Sequence, residues 1–401
     1  MSETPAIDLL VLHPDFATDP YPAYAALRAR GPVHLVRIGD DEAFWLVVGH
    51  EACRAAYTHP RLSRDWRRHG GLATGVPAPS LDRPGNAHML LRDPPDHTRL
   101  RRLVVRAFTP RRIEALAPGI QKLTDRLLDS MLAAEDRRAD LVPALAYPLR
   151  LGVICELLGV PGLDREAFRA WSDEVVAPTG PEAARSAHTQ AVAHLTNLIA
   201  AKRGKPGQDL LSALIHTVDE GGDRLNEDEL LSTAFLLLIA GHESTVNFIC
   251  NGISALFAHP GQLALLRADP DGLIDGAVEE MLRHDSPVET STPRIATGPV
   301  DIGGTVVPAG GVVLIVAADA GRDPARFPDP AAFDIRRADH GHLAFGHGAH
   351  YCLGAPLARV EGRIVFRTLL ARCPSLAPDG RTDERVSSLL RQGIRRIPVR
   401  W

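Results

Sequence analysis

Near the carboxyl end of the chain, residues 345–354 read FGHGAHYCLG and set one cysteine, Cys352, among glycines. Gly348 can adopt a positive φ angle and let a flat ligand approach the backbone. Gly354 allows the following helix to begin close to the sulfur, Phe345 can cover one side of it, and loop N–H groups can stabilise a thiolate. A thiolate that ligates haem iron requires such a tight loop, so the segment predicts Cys352 as the iron ligand.

Other interpretations of this segment are disfavoured. Gly346 and Gly348 match the start of a dinucleotide-binding fingerprint, but Tyr351 occupies the position of its third glycine. Four histidines lie in or just before the segment: His340, His342, His347 and His350. They lack the His-x3-His helical spacing with an acid that zinc enzymes use. The plainer alternative for Cys352 is a buried cysteine in a glycine-rich turn. Cys155 and Cys250 lie instead in apolar helical stretches, and we interpret them as small buried hydrophobic residues.

Composition places the chain among ordinary globular proteins. It has 401 residues, for which length alone suggests two or three domains, and a net charge of −4, which argues against nucleic-acid binding. The amino terminus is not basic and then apolar, as a signal peptide would be. The longest apolar run, Ala234–Ala240, is too short to cross a membrane. The five cysteines form no CxxC pair. We therefore expect a soluble, cytoplasmic protein.

Helical periodicity dominates the chain from Ile113 to Leu265. A further helix is predicted at Asp96–Phe108. Alternation predicts a hairpin of the strands Val33–Ile38 and Phe44–Val48. More strands are expected at Val300–Ile302, Thr305–Val307 and Val312–Val316. Arg64–Leu91 is rich in glycine, proline and arginine, and we interpret it as a long loop.

One predicted helix is unusually long. Asn226 and Glu229 form a capping-box pattern, and the helix can continue to about His259, where Pro260 stops it. At 1.5 Å for each residue, that helix would be about 50 Å long. A helix of this length in a soluble enzyme usually crosses the middle of the fold.

The cysteine loop and the elements around it resemble those of bacterial cytochromes P450 over nearly all of the chain. The resemblance implies a mainly α fold with small β-sheets, in one triangular domain spanning residues 1–401 around a buried haem b (iron protoporphyrin IX). The detail is closest to the branch that tailors polyketides and macrolides. Three stretches carry this likeness: Trp66-Arg67-Arg68, Ala240–Thr245 and Ile397–Trp401.

The resemblance also assigns two groups of charged residues. Glu280 and Arg283 match the family's E-x-x-R motif, share one helix face, and would form a buried network with Arg337 that serves folding and haem retention. Cations are also needed for the two haem propionates. Four residues match such contacts: His97, Arg101, Arg294 and His350. The loop residues Phe345, Gly346 and Gly354 would contact the cofactor as well.

Residues 240–245, which read AGHEST, match the oxygen-binding segment of the family. Gly241 costs about 1 kcal/mol in a helix, so an opening there would leave room for O₂ beside Ala240. The freed carbonyl would then need Ser244 or a water as its partner. Glu243 with Ser244 or Thr245 would deliver protons. The chain departs from the pattern here, because the family's usual threonine is replaced by Ser244.

The resemblance implies a monooxygenase that uses O₂ and electrons from a separate ferredoxin and its reductase. Seven arginines on two helices predict a basic docking patch: Arg99, Arg102, Arg106, Arg111, Arg112, Arg359 and Arg363. The expected substrate is a bulky apolar natural product, with polyketides or macrolides favoured and steroids, terpenoids and peptides left open. Five regions should contact it: Arg64–Leu91, Ala167–Thr189, Leu237–Thr245, Val288–Thr292 and Leu389–Ile394. The alternatives are a haem-binding sensor without catalysis and a peroxide-driven oxygenase.

Overall fold

The computed structural model describes residues 5–73, 84–161, 171, 174–175, 179–218, 221–380, 385–388 and 391–401. The helices in this part of the chain are α1 (Leu9–Leu12), α2 (Tyr21–Arg28), α3 (His50–Thr58), α4 (Trp66–His69), α5 (Asp96–Ala107), α6 (Pro110–Leu132), α7 (Tyr147–Leu158), α8 (Pro181–Gly204), α9 (Leu210–His216), α10 (Glu227–Ala240), α11 (His242–Ala258), α12 (Pro260–Ala268), α13 (Pro270–His284), α14 (Ala317–Ala320) and α15 (Ala355–Arg372). The strands are β1 (Ile7–Asp8), β2 (Val33–Arg37), β3 (Phe44–Val47), β4 (Leu62–Ser63), β5 (Arg138–Asp140), β6 (Arg294–Ala296), β7 (Val300–Ile302), β8 (Thr305–Val307), β9 (Val312–Ile315), β10 (Ala377–Pro378), β11 (Arg385–Ser388), β12 (Arg391–Ile394) and β13 (Pro398–Arg400).

The main sheet has the strand order β1-β2-β3-β9-β6-β4. The predicted hairpin is confirmed, since β2 pairs antiparallel with β3 and Val33 lies opposite Val47. All four residues of β3 are buried, because β2 and β9 flank it and both of its faces are covered. At the other edge β4 pairs with β6, and Ser63 lies opposite Ile295. This pairing brings two distant arginine-bearing segments together, and the site depends on it.

The largest core is helical. Its buried side chains come mainly from α6, α7, α10, α11, α13 and α15, whereas smaller clusters cover the two faces of the main sheet. Cys155 and Cys250 are buried in the helical core, as predicted. The helix predicted at Asp96–Phe108 is α5. The expected long loop Arg64–Leu91 is wrong in part, because α4 follows Arg64, and 3₁₀ turns occupy Gly70–Leu72 and Met89–Leu91.

The long central helix is interrupted at Gly241, which separates α10 from α11. Its capping box is confirmed, since the Glu229 amide donates to Asn226 Oδ1 at 2.9 Å and the Asn226 amide donates to Glu229 Oε2 at 3.0 Å. The stretch Glu227–Ala258 has the length and apolar composition of a membrane span, but 56% of its most apolar window is buried inside the protein. Its position among α7, α13 and α15 is that of a core helix.

Candidate haem site

The loop around Cys352 has the tight backbone that its sequence predicts. Gly346 and Gly348 adopt φ angles of 71° and 75°, which side chains disfavour. The Cys352 amide donates to the Phe345 carbonyl at 2.9 Å and closes the loop. A Cβ on Gly348 would also lie 2.7 Å from Thr58 Cγ2, so this glycine allows the loop to pack on α3. The loop geometry therefore constrains where the Cys352 sulfur lies.

Cys352 is exposed, whereas the other four cysteines are buried. Many protein atoms nevertheless surround its thiol, and this desolvation raises its pKa. The amides of Gly354 and Ala355 and the charges of Arg101 and Arg359 act in the opposite direction. Donors directed at a sulfur favour its thiolate, and coordination to a metal removes the proton outright. The surroundings of Cys352 therefore fit an iron ligand.

The residues expected to hold the propionates converge above this loop. His97 is buried with neither ring nitrogen hydrogen-bonded, and its ring centroid lies 4.0 Å from that of His350. Arg294 is also buried. Its Nη1 donates to the Tyr57 carbonyl at 3.0 Å, while its Nε and Nη2 have no hydrogen-bond partner among the described residues. Arg101 Nη2 donates instead to the Tyr351 carbonyl at 2.8 Å and so contacts the cysteine loop. Three of the four predicted residues, His97, Arg294 and His350, thus place their rings or unbonded nitrogens close together.

Arg64 joins this group, although the sequence assigned it to a substrate loop. Its side chain is buried, with 6% of the residue exposed, and its Nε has no hydrogen-bond partner. Its amide donates to Asp93 Oδ1 at 3.1 Å, and Ser63 Oγ donates to Asp93 Oδ2. Burial lowers the pKa of Arg64 to about 9, with a further contribution from Arg294. No local signal marks Arg64 for this position, because the pairing of β4 with β6 places it there.

Four residues form a cradle, namely Arg64, His97, Arg294 and His350. Carboxylates of the described residues do not balance the positive charge of its two arginines. Burial, followed by the charges of Arg101 and Arg64, lowers the pKa of His97 to about 4. Burial and the nearby arginines lower the pKa of His350 as well. In the described part of the chain, no carboxylate lies within ion-pair distance of the Arg64 or Arg294 guanidinium. Buried cations without a counter-charge are costly, so the cradle fits an anionic ligand such as the two carboxylates of haem b.

A second set of charged residues links α13 to residues 328–337 and to the helix that follows the cysteine loop. Glu280 accepts two bonds from Arg283, at 2.7 and 2.8 Å, and Arg337 Nε approaches Glu280 Oε2 at 3.2 Å. The structure thus brings together the three residues of the predicted network. The neighbouring Glu279 is bonded by Arg359 at 2.6 and 2.9 Å. The Arg359 guanidinium lies 4.7 Å from the centroid of the Phe345 ring.

The helix interruption falls within residues 240–245, the predicted oxygen-binding segment. Ser244 Oγ donates to the Ala240 carbonyl at 3.0 Å, as a partner for a carbonyl in this turn. The carbonyls of Leu238 and Gly241 accept from Arg150 instead, a residue that the sequence did not single out. Ser244 is therefore the partner of one carbonyl at the interruption, as predicted, and Arg150 is the partner of two others.

The other two predicted proton-relay residues are placed differently. Thr245 Oγ1 donates at 3.2 Å to Glu361 Oε2, which is buried on α15. The Thr245 hydroxyl is thus engaged with the helix that follows the cysteine loop. The Glu243 side chain lies outside the described residues, as do residues 74–83, 167–170, 172–173, 176–178 and 389–390 of the predicted substrate regions.

The predicted basic patch is less positive than its sequence suggests. Arg99 forms bonds of 3.1 and 3.0 Å with Glu229 and lies 3.2 Å from Asp223. Arg363 lies 3.4 Å from Asp275 and 3.7 Å from Glu114. Because Arg359 is also paired, at least three of the seven arginines are partly neutralised.

A mainly helical protein with an exposed cysteine in a glycine-rich loop, beside a buried cationic cradle, has the features of the haem–thiolate proteins. The family model for Cytochrome P450 matches residues 183–394. The chain is 54% identical over 399 residues to the cytochrome P450 monooxygenase PikC of Streptomyces venezuelae, covering 99% of this chain and 94% of that protein. It is 42% identical to the 6-deoxyerythronolide B hydroxylase of Saccharopolyspora erythraea, covering 96% of each.

Among solved structures, the ligand-free P450 monooxygenase TamI superposes with a TM-score of 0.89 at 42% identity, covering 99% of this chain and 94% of that chain. The chain therefore belongs to the cytochrome P450 family. Family membership makes it a monooxygenase that binds haem b through a cysteine thiolate.

Proposed function

We propose that this chain inserts one oxygen atom from O₂ into a bulky apolar natural product of the polyketide or macrolide type. The observation that carries the proposal is the exposed residue Cys352 beside buried cations for which the described residues supply no counter-charge. The substrate class is supported by the relatives, one of which is named for hydroxylation of 6-deoxyerythronolide B. Residues 1–401 act in this proposal as one domain in the cytoplasm.

The site residues take separate roles. Cys352 ligates the iron, and Arg64, Arg101 and Arg294 neutralise the haem carboxylates while His97 and His350 donate hydrogen bonds to them. Phe345 and Gly354 shape the two sides of the sulfur. When bound, the haem supplies the activation of O₂ that no amino-acid side chain provides.

Proton delivery is assigned to the segment after Gly241. Ser244 hydrogen-bonds the Ala240 carbonyl, and rotation about its χ1 angle frees the hydroxyl to pass a proton toward the oxygen side. Glu243 is the proposed source of that proton. Because Thr245 is bonded to Glu361, we propose Ser244 as the relay and Thr245 as part of its support.

The electrons come in this proposal from a ferredoxin and its reductase, docked on the arginines of α5 and α15. Arg102→Glu and Arg363→Glu should each slow reduction by a ferredoxin and flatten its dependence on salt. Stopped-flow reduction at low and high ionic strength measures both effects. Unchanged rates at low salt would move the docking surface elsewhere.

The central experiment is the difference spectrum of the reduced protein with carbon monoxide. We expect the thiolate signature in the parent and in the control Cys373→Ser, which alters a buried cysteine, and its loss in Cys352→Ser. A parent without that signature would overturn the proposal. A screen of macrolide and steroid compounds with a surrogate ferredoxin and reductase then tests the activity. Haem binding without any oxygenated product favours a sensor, and product formed only with added peroxide favours a peroxide-driven enzyme.

A further inference from the structure

Arg150 is a buried arginine on α7 that points at the interruption of the central helix. Only 1% of the residue is exposed. Its Nη2 donates to the Leu238 carbonyl at 3.3 Å, and its Nε donates to the Gly241 carbonyl. Leu238 lies in the last turn of α10, and Gly241 is the residue between α10 and α11. One side chain therefore bonds two carbonyls of the turn at which the central helix is interrupted.

The bonding pattern suits a guanidinium and not an ammonium. Carbonyls at a helix end need partners when they are buried, and an interrupted helix inside the core has such an end. A planar guanidinium presents donors in a fixed fork and can bond two carbonyls one turn apart, whereas a lysine offers a single point charge. A Cβ on Gly241 would lie 3.2 Å from Ile154 Cδ1, so α7 packs directly on the opening. Helix α7 thus supplies both the contact and the donors.

The opening is also tied to the helix that follows the cysteine loop. The positive charge of Arg150 acts on the carboxyl of Glu361, which is buried on α15. Burial raises the pKa of Glu361 to about 7, while the Thr245 hydrogen bond and Arg150 oppose this shift. Thr245 is the neighbour of Ser244 on α11. Residues of α7, α11 and α15 therefore surround the turn that carries the proposed relay.

We propose that Arg150 is a positioning residue for oxygen activation, which holds the central helix open at Gly241 and so sets the orientation of Ser244. This inference rests on the proposed function. The carbonyl of Gly241, the N-cap residue of α11, already accepts the first hydrogen bond of that helix, and the guanidinium is its second donor. Without the guanidinium, the buried carbonyl of Leu238 has the amide four residues onward as its remaining partner. Bonding to that amide favours a continuous helix, narrows the space beside Gly241 and rotates Ser244.

The test compares three variants of the haem-loaded enzyme. Arg150→Met removes the donors, Arg150→Lys keeps the charge and one donor group, and Leu149→Ala removes a buried side chain from the same helix but leaves the Arg150 donors in place. The readouts are peroxide released for each reducing equivalent consumed and the rate of carbon monoxide rebinding after photolysis. A small misplacement of a reacting group costs about 10- to 100-fold.

We expect Arg150→Met to keep the thiolate signature, to increase the ratio of peroxide to product about tenfold, and to rebind carbon monoxide more slowly. Arg150→Lys should recover part of both effects, and Leu149→Ala should lower the unfolding temperature but behave like the parent in both readouts. If Arg150→Met holds too little haem, Gly241→Ala places a Cβ 3.2 Å from Ile154 Cδ1, displaces α7 with its guanidinium from the interruption, and should reproduce the result.

Failure of the positioning role and failure of the proposed function give different results. A parent that oxygenates substrate, together with an Arg150→Met enzyme that matches it in peroxide and rebinding, overturns the positioning role alone. If only Gly241→Ala can be measured, that variant overturns the positioning role when its peroxide release and carbon monoxide rebinding equal those of the parent. A parent that lacks the thiolate signature overturns the proposed function itself, whatever the variants do.

Discussion

Two buried arginine clusters in this molecule differ in how their charges are met. Arg283 is bonded to Glu280 and to the carbonyls of Gly321, Pro330 and Ala332 at 2.7–2.9 Å. Arg294 and Arg64, by contrast, keep guanidinium nitrogens that have no partner in the described part of the chain. Folding alone favours a buried charge with all its partners present, because an unpaired one is destabilising. A buried cluster that lacks its anion therefore indicates a ligand site, and a fully bonded cluster indicates a structural brace.

The largest expected effect comes from breaking the bonded cluster. Glu280→Ala leaves Arg283 and Arg337 without their carboxylate and should destabilise the protein by about 3–5 kcal/mol. Thermal unfolding and the yield of haem-loaded protein measure the loss. The control is Arg336→Ala, since Arg336 lies 3.8 Å from Asp334 and is mostly exposed. Its loss should cost about 0–1 kcal/mol. Equal effects of the two variants would contradict the structural role of Glu280.

Removing a cation from the cradle should speed the release of haem more than it lowers the stability of the fold. Arg64→Met removes one cation facing the haem carboxylates, so haem should transfer to excess apomyoglobin about 10- to 100-fold faster, as expected for a lost charged hydrogen bond. Arg67→Met is the matched control, because the Arg67 side chain is 44% exposed. Haem release unchanged by Arg64→Met, but increased by Arg294→Met, would remove Arg64 from the cradle while leaving the cradle in place.

A smaller effect, on the coupling of electron use to product, is expected at Ser244, where a hydroxyl and not a charge is removed. Ser244→Ala should raise peroxide release several-fold at the expense of product, whereas Ser244→Thr should keep or improve coupling, because its β-branch restricts the χ1 angle. Glu243→Gln should slow turnover with the haem retained. Product and peroxide for each reducing equivalent are the measurements. A Ser244→Ala enzyme that couples like its parent would transfer the relay to Thr245, a water or the substrate.

A further effect is expected in the pH dependence of stability, at a buried carboxyl that belongs to neither arginine cluster. Glu289 accepts a bond from the Tyr24 hydroxyl, and its other oxygen has no partner. Burial raises the pKa of Glu289 from 4.5 to about 8, so its contribution to stability is fully present below pH 4.5 and is lost as the pH rises through 8. Glu289→Gln should flatten the decline of the unfolding temperature over this range. The exposed Glu135→Gln should leave the slope unchanged, and a parental slope in Glu289→Gln would show that other groups cause it.

The sequence alone determined the features that are written in consecutive residues. The loop around Cys352, the pair Glu280 and Arg283 three residues apart, and the capping box at Asn226 all depend on local spacing. The structure has each of them where the spacing predicts it. The resemblance to the cytochromes P450 added the fold and the cofactor, because those motifs occur together in that family.

Only the tertiary structure decided which distant residues complete the site. Arg64 reaches the cradle because β4 pairs with β6, Arg150 reaches the opening because α7 packs on Gly241, and Thr245 bonds Glu361 because α11 contacts α15. None of these contacts leaves a periodic or compositional signal, since an arginine in a loop or helix has the same local sequence whether its guanidinium faces water or the interior. The direction of a long side chain is set by packing between elements that are far apart in the chain.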